Sequence, residues 1–148
     1  MGKEVGRARL HQAVILLDTH IVVWLLLDAV ELGKQARLSI QESIEAETAA
    51  ISSISFWELG ILIEKRQLSL TMPLASFAEQ ISEDIQIIPV DQQIAVESGS
   101  LPAGIHGDPG DRIIAAAARI LGCPLLTADK KLLAYAAAGH LQAIDARL

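Results

Sequence analysis

The stretch Gly107-Asp108-Pro109-Gly110-Asp111-Arg112 stands directly in front of the apolar run 113–118. Its first aspartate at the N-cap, the proline at the first helical position and the second aspartate two residues later are typical of a helix start. Gly122 is typical of a helix end. The pattern therefore predicts a helix over 109–121. Packing alone does not require two carboxylates at the entrance of so apolar a helix, so the stretch also indicates a functional site.

The composition is that of one globular domain. The chain has 148 residues, of which 51% are hydrophobic and only 3% aromatic, so aliphatic side chains must build the core. The single cysteine, Cys123, excludes an internal disulfide and predicts a cytoplasmic protein. The net charge of −6 argues against binding nucleic acid through a basic surface alone. It leaves a nucleic-acid enzyme open, because a bound cation can supply the positive field.

Short apolar segments alternate with helical patterns along the chain. We predict strands at 14–17, 48–51, 85–90, 124–127 and 141–144. We predict helices at 21–27, 34–47, 57–65, 73–83, 91–99, 109–121 and 129–138. This alternation is typical of an α/β fold, with a central parallel sheet of four or five short strands flanked by helices on both faces.

We interpret residues 14–148 as that single domain and residues 1–13 as a disordered N-terminal extension or a misassigned start. The longest apolar stretch, 14–27, is interrupted by Asp18 and His20 and is too short for a membrane span, which needs about 20 apolar residues. We therefore expect no membrane association.

Acidic residues stand at the ends of several of these segments. Asp18 ends the first predicted strand, Asp129 follows the fourth, and Asp111 opens the helix that precedes the fourth. Open α/β sheets bind their ligands at the carboxyl edge of the strands, so we expect these acids to lie together there. Asp18 is flanked by apolar residues, and an unpaired buried charge costs several kcal/mol. It therefore needs a cation, a metal ion or a helix to cap.

Each acid also has a purely structural interpretation. Asp108 is best explained as the N-cap of its helix. Ser55-Phe56-Trp57-Glu58 matches a capping box, which leaves a cap and a ligand equally open for Glu58. The same two roles are open for Asp129. Asp111 lies near a positive helix end that favours its ionised form, and we interpret it as a ligand.

Carboxylates dominate this set of candidate ligands. His20 and His106 are better explained by local packing than by metal binding, and no spaced pair of cysteines or histidines supports a zinc site. Oxygen ligands point to Mg²⁺ or Mn²⁺, which neutralise charge on a phosphate during in-line displacement.

Four segments of the chain resemble the acidic motifs of PIN-domain proteins, and most of all those of the VapC group of bacterial toxin ribonucleases. These segments are Leu16-Leu17-Asp18-Thr19-His20, Ser52-Ser53-Ile54-Ser55-Phe56-Trp57-Glu58, His106-Gly107-Asp108-Pro109-Gly110-Asp111-Arg112 and Leu126-Thr127-Ala128-Asp129. Each motif alone is weak, but four in order at sensible spacing are specific. The resemblance runs from about residue 14 to the C-terminus.

The resemblance implies a Mg²⁺- or Mn²⁺-dependent endoribonuclease, with a VapB-type antitoxin as partner and commonly a homodimer. It also implies an acidic pocket formed by Asp18, Glu58, Asp111 and Asp129. On this hypothesis the four acids hold one or two ions, and water attacks the scissile phosphate of single-stranded RNA. The supporting residues that we propose from the sequence are Thr19, Ser55, Thr127 and Asp108 around the acids, and Arg112 and Lys130 as phosphate contacts.

Several alternatives stay open at this point. Arg112 is equally well explained by a salt bridge to Asp108. The apolar segments 21–27, with Trp24, and 56–63, with Trp57, exceed what one core requires, and part of this surface is predicted to bind the antitoxin or a second subunit. Two other functions compete with the nuclease: a PIN-like module that binds RNA or protein without cutting, and a phosphoacceptor receiver-like domain. The second fits poorly, because Lys130 follows Asp129 and does not close a last strand.

Overall fold

The computed structural model of the chain describes residues 14–105 and 107–148, so the predicted N-terminal extension lies outside the described residues. The strands are β1 (Ile15–Leu17), β2 (Ala49–Ser52), β3 (Gln86–Ile88), β4 (Leu125–Thr127) and β5 (Ala143–Asp145). The helices are α1 (Thr19–Leu27), α2 (Lys34–Glu45), α3 (Ile54–Glu64), α4 (Leu74–Ile81), α5 (Gln92–Gly99), α6 (Pro109–Leu121) and α7 (Lys130–Ala137). A 3₁₀ turn, Pro102–Gly104, lies between α5 and α6.

The five strands form one parallel sheet in the order β3-β2-β1-β4-β5. The central strand is β1, whose Leu16 pairs with Ala50 of β2 on one side and with Leu125 of β4 on the other. The predicted α/β fold and the edge position of the last strand are confirmed.

Helices cover both faces of the sheet because successive side chains of each strand point to opposite sides. Leu16 packs into a core with α5, α6 and α7, whereas Leu17 packs into a core with α1, α2, α3 and α4. Both leucines are fully buried, and burying such a side chain stabilises the fold by roughly 2 kcal/mol. None of the helices in the described part of the chain is long and apolar enough to cross a membrane.

Two helix starts differ from the prediction by more than one residue. Helix α1 begins at Thr19 because Asp18 caps it directly after β1. Helix α3 begins at Ile54, three residues before the predicted start. Helix α6 spans the predicted 109–121, with Asp108 as N-cap and Gly122 in the left-handed conformation (φ 63°) at its end. The short connections after β1 and β4 bring the starts of α1 and α7 to the carboxyl edge of the sheet.

Candidate functional site

Asp18 occupies the centre of the carboxyl edge, at the junction of β1 and α1. Its side chain is only 2% exposed. One carboxylate oxygen, Oδ1, accepts from the backbone N–H of Thr19 at 2.8 Å, and Oδ2 accepts from the hydroxyl of Thr127 at 2.7 Å. Burial raises the pKa of Asp18, and the hydrogen bond from Thr127 partly opposes that rise. The carboxylate is therefore held in one orientation by two donors.

Glu58 reaches the same edge from α3. Its Oε1 accepts from the Thr19 hydroxyl at 2.6 Å, and the Thr19 and Ser55 hydroxyl oxygens are 2.8 Å apart. A hydroxyl has one proton, so with Thr19 donating to Glu58 the Ser55 hydroxyl donates to Thr19. Of the two roles that the sequence left open for Glu58, the capping box is excluded, because Ser55 lies inside α3 and Ser53 is its N-cap. Ser55 instead supports Thr19, which in turn orients Glu58.

Gly110 brings Glu58 against the first turn of α6. A β carbon at this position would lie 2.5 Å from Oε2 of Glu58, well inside van der Waals contact. The absence of a side chain at Gly110 therefore lets the Glu58 carboxylate rest beside the residue that precedes Asp111. Sequence analysis did not single out this close approach, because Gly110 could equally have served a turn.

Asp111 stands in the first turn of α6, near Asp18 and Glu58. We call the region around these acids, at the carboxyl edge of the sheet, the cleft. The Asp111 backbone N–H donates to Oδ1 of Asp108 at 3.2 Å, so Asp108 is the N-cap as predicted. The Asp111 carboxyl is half-buried. Burial is the largest effect on its pKa, and the negative charges of nearby acids, Asp18 first among them, add to it. Together they raise the pKa of Asp111 to about 7.

Asp129 is the fourth acid, and it is the N-cap of α7. Its Oδ1 caps the helix by accepting from the backbone N–H groups of Lys131 and Leu132, at 2.8 and 3.2 Å. Its own N–H donates to the hydroxyl oxygen of Thr127 at 3.0 Å. The Thr127 side chain is completely buried. Because its hydroxyl donates to Asp18 and accepts from the Asp129 N–H, it links the two acids. The cap that the sequence left open for Asp129 is present, and its charge still reaches the cleft, where it raises the pKa of Asp111.

The four acids Asp18, Glu58, Asp111 and Asp129 therefore form one electrostatic unit. Burial raises the pKa of Glu58, and the charge of Asp18 raises it further. Like charges gathered at a partly buried edge are unfavourable without a cation. The ion pairs Arg37–Asp28 and Arg119–Glu97 lie elsewhere in the molecule.

The donor set suits a hard divalent cation, because all four side chains offer carboxylate oxygens. Across residues 14–105 and 107–148, no three acidic, histidine or cysteine side chains converge closely enough to hold an ion unaided. Mg²⁺ commonly keeps several waters and uses one or two carboxylates. The acids thus fit a cation that retains part of its hydration shell.

The two basic candidates, Lys130 and Arg112, differ in their surroundings. Lys130 is exposed in the first turn of α7, beside Asp129. Arg112 does not form the alternative salt bridge to Asp108. Its Nε and Nη1 donate to the backbone carbonyls of Ser98 and Ile105, and the phosphate contact predicted for Arg112 stays a prediction.

His20 lies near the acids, although its sequence context suggested only local packing. Its side chain is exposed in the first turn of α1, and its charge lowers the pKa of both Asp18 and Glu58. Its position two residues after Asp18 was the available signal. His106 lies outside the described residues.

Comparisons with known proteins give matches along most of the chain. A family model described as the PIN domain matches residues 15–138. Ribonuclease VapC22 of Mycobacterium tuberculosis is 31% identical over 118 residues, which cover 80% of this chain and 88% of that protein.

Solved structures share the fold. VapBC from Salmonella typhimurium, bound to DNA, superposes with a TM-score of 0.66 at 21% identity and covers 90% of this chain and 98% of its own. A toxin–antitoxin complex from Klebsiella pneumoniae gives a TM-score of 0.58 at 22% identity, covering 88% and 96%. At these identities the structural likeness establishes the fold alone.

Proposed function

The chain belongs to the PIN-domain family, and from this premise we propose that it is a metal-dependent endoribonuclease. One observation carries the proposal: Asp18, Glu58, Asp111 and Asp129 lie at the carboxyl edge of the sheet, close enough for the other three charges to help raise the pKa of Asp111 to about 7. Four carboxylates this close together need a nearby positive charge before all of them can ionise. The relative Ribonuclease VapC22 supports RNA as the substrate.

The family implies the use of a divalent metal ion, and we propose Mg²⁺ or Mn²⁺. Asp18, Glu58 and Asp111, with Asp129 directly or through water, would hold one or two ions. A bound divalent cation supplies positive charge that neutralises the scissile phosphate and lowers the pKa of water.

The residues around the acids hold them in place. Thr127 fixes the orientation of the Asp18 carboxylate by donating to it, and Thr19, supported by Ser55, does the same for Glu58. Asp108 holds the backbone of Asp111. Lys130 is exposed at the rim, and we propose that it contacts a phosphate of the RNA.

We further propose that the protein is a cytoplasmic toxin restrained by a VapB-type antitoxin. Leu26 and Leu27 of α1 are 41% and 59% exposed, and Trp57 of α3 is 53% exposed. A groove of about 430 Å³ between α1 and α4 continues this apolar surface. An arginine from the antitoxin would pair with the acids. Part of the same surface serves a homodimer on this proposal.

The decisive experiment compares cleavage of mixed single-stranded RNA by wild type, Asp111→Asn and Glu31→Gln, each with Mg²⁺ or Mn²⁺ and then with excess EDTA. Glu31 is exposed and lies away from the cleft, so its variant controls for loss of one carboxylate. We expect cleavage by wild type and Glu31→Gln only when metal is present. Cleavage that persists in EDTA or in Asp111→Asn contradicts the proposal. RNA binding without cleavage by wild type would instead indicate a silent PIN module.

A further inference from the structure

The segment that leads into the helix of Asp111 is held in an unusual conformation. Residues 98–105 comprise the last two residues of α5, Ser98 and Gly99, and the six residues that follow them, which contain the 3₁₀ turn. Ala103 and Gly104 have φ angles of 60° and 61°, in the left-handed region. A non-glycine residue there costs roughly 1 kcal/mol and persists only when surrounding contacts hold it. Something outside the segment must therefore stabilise it.

Arg112 supplies part of this stabilisation. Its Nε donates to the carbonyl oxygen of Ser98 at 2.9 Å, and its Nη1 donates to the carbonyl oxygen of Ile105. The planar guanidinium thus joins the two ends of the segment, seven residues apart in sequence. Arg112 itself follows Asp111 in the first turn of α6. The side chain consequently couples the loop to the turn that carries the acid.

Tyr135 of α7 holds the middle of the same segment. Its hydroxyl donates to the carbonyl oxygen of Pro102 at 2.7 Å, and its ring is buried with the ring centroid 4.9 Å from that of His140. Three carbonyls of one short segment are therefore bound by two side chains from two helices. We call Arg112 and Tyr135 together the loop clamp.

Asp111 depends on this segment more than the other acids do. Asp18 and Glu58 each accept from a threonine hydroxyl. Asp111 is instead fixed by a hydrogen bond from its backbone N–H to the side chain of Asp108. Asp108 lies only three residues after Ile105. The direction in which Asp111 faces is thus set by how the backbone enters α6.

We propose that Arg112 and Tyr135 are positioning residues, which hold the 98–105 segment so that Asp111 enters the cleft beside Asp18 and Glu58. The expected effect on RNA cleavage rests on the proposed nuclease function, whereas the hydrogen bonds of the loop clamp do not depend on it. Neither residue touches the substrate on this proposal. An arginine is required because a lysine cannot span the two carbonyls with one rigid group.

The test uses the full-length variants Arg112→Lys and Tyr135→Phe, with Arg37→Lys as the matched control. Arg37 of α2 also donates to two backbone carbonyls, those of Ala29 and Leu32, but it lies on the other face of the sheet. Three quantities are measured: amide hydrogen exchange over 99–111, Mn²⁺ affinity by calorimetry without RNA, and kcat and KM for RNA cleavage.

We expect both clamp variants to exchange about tenfold faster over this segment and to bind Mn²⁺ about tenfold more weakly, as residues that orient metal ligands do. Cleavage should lose kcat while KM and the salt dependence of RNA binding stay unchanged. Arg37→Lys should leave exchange over 99–111 and Mn²⁺ affinity at wild-type values.

Unchanged exchange in the clamp variants overturns the proposal. So does faster exchange with wild-type Mn²⁺ affinity, because the segment would then not position Asp111. A smaller salt dependence of RNA binding in an Arg112→Gln variant would make Arg112 a phosphate contact instead. If wild type neither binds Mn²⁺ nor cleaves RNA, the nuclease function fails, and the exchange data still decide the clamp.

Discussion

Replacing Asp111 by asparagine should stabilise the metal-free protein while removing its activity. The carboxyl of Asp111 is half-buried, and the charges of Asp18, Glu58, Asp108 and Asp129 add to the effect of burial. An asparagine has nearly the same shape and carries no charge. The variant therefore keeps the packing of the α6 entrance and removes the repulsion that the ionised acid suffers there.

The size and the pH range of the effect follow from the pKa of Asp111. The pKa is about 7 in the folded protein against 3.8 for the free side chain. Because the folded value is raised, this group favours folding below about pH 4, and that contribution is lost as the pH rises from about 4 to 7. A difference of roughly three pH units corresponds to ~4 kcal/mol. Since the side chain is partly solvated, screening reduces this to roughly 1–2 kcal/mol.

The assay is thermal denaturation in EDTA at several pH values between 5 and 8. At pH 8 the Asp111→Asn variant should melt about 4 °C above wild type, from roughly 2–4 °C per kcal/mol in a domain of this size. The difference should shrink towards pH 5. Added Mn²⁺ should then stabilise wild type but not the variant.

Glu31→Gln serves as the control and should show no pH-dependent difference from wild type. An Asp111→Asn protein that is no more stable than wild type at pH 8 would contradict a destabilising charge at Asp111. A stability difference that is the same at pH 5 and pH 8 would also refute it, because it would then not arise from ionisation.

Three further predictions concern residues around and away from the cleft. Thr127→Val removes the hydroxyl that donates to Asp18, so it should lower the free energy of unfolding by about 1–3 kcal/mol in chemical denaturation. Calorimetry should show Mn²⁺ binding about tenfold weaker. Unchanged values in both measurements would contradict the role of the hydroxyl. Burial raises the pKa of the Cys123 thiol to about 11, so iodoacetamide at pH 8 should label the unfolded protein and leave the native protein unmodified, which mass spectrometry can check. Gly33→Ala should destabilise the fold by about 1–3 kcal/mol in denaturant titrations without changing Mn²⁺ affinity, because the new methyl group would overlap the backbone carbonyl of Leu148.

Much of the architecture could be predicted because it depends on local patterns. Apolar runs separated by Gly, Pro and acidic residues indicated five strands, and the structure contains all five in one parallel sheet. The start and the end of α6 were predicted correctly, since the cap at Asp108 and the left-handed Gly122 act within one turn of the helix. Parallel topology then brings the strand ends to one edge.

The sequence left alternatives open where a distant partner competes with a local one. Ser55 and Glu58 have the spacing of a capping box, yet both turn towards Thr19, 36 and 39 residues away in sequence. A salt bridge to the nearby Asp108 was one alternative for Arg112, whose guanidinium instead donates to backbone carbonyls of a loop.

Local sequence patterns identify which residues form the strands and helices and which acids stand at their ends, because periodicity and capping are short-range properties. The tertiary structure alone decided how these acids are held: which hydroxyl orients each carboxylate, how closely Glu58 lies on Gly110, and why Asp111 ionises with difficulty. Hydrogen-bond partners and desolvation depend on atoms brought together from distant segments, and no local pattern encodes them.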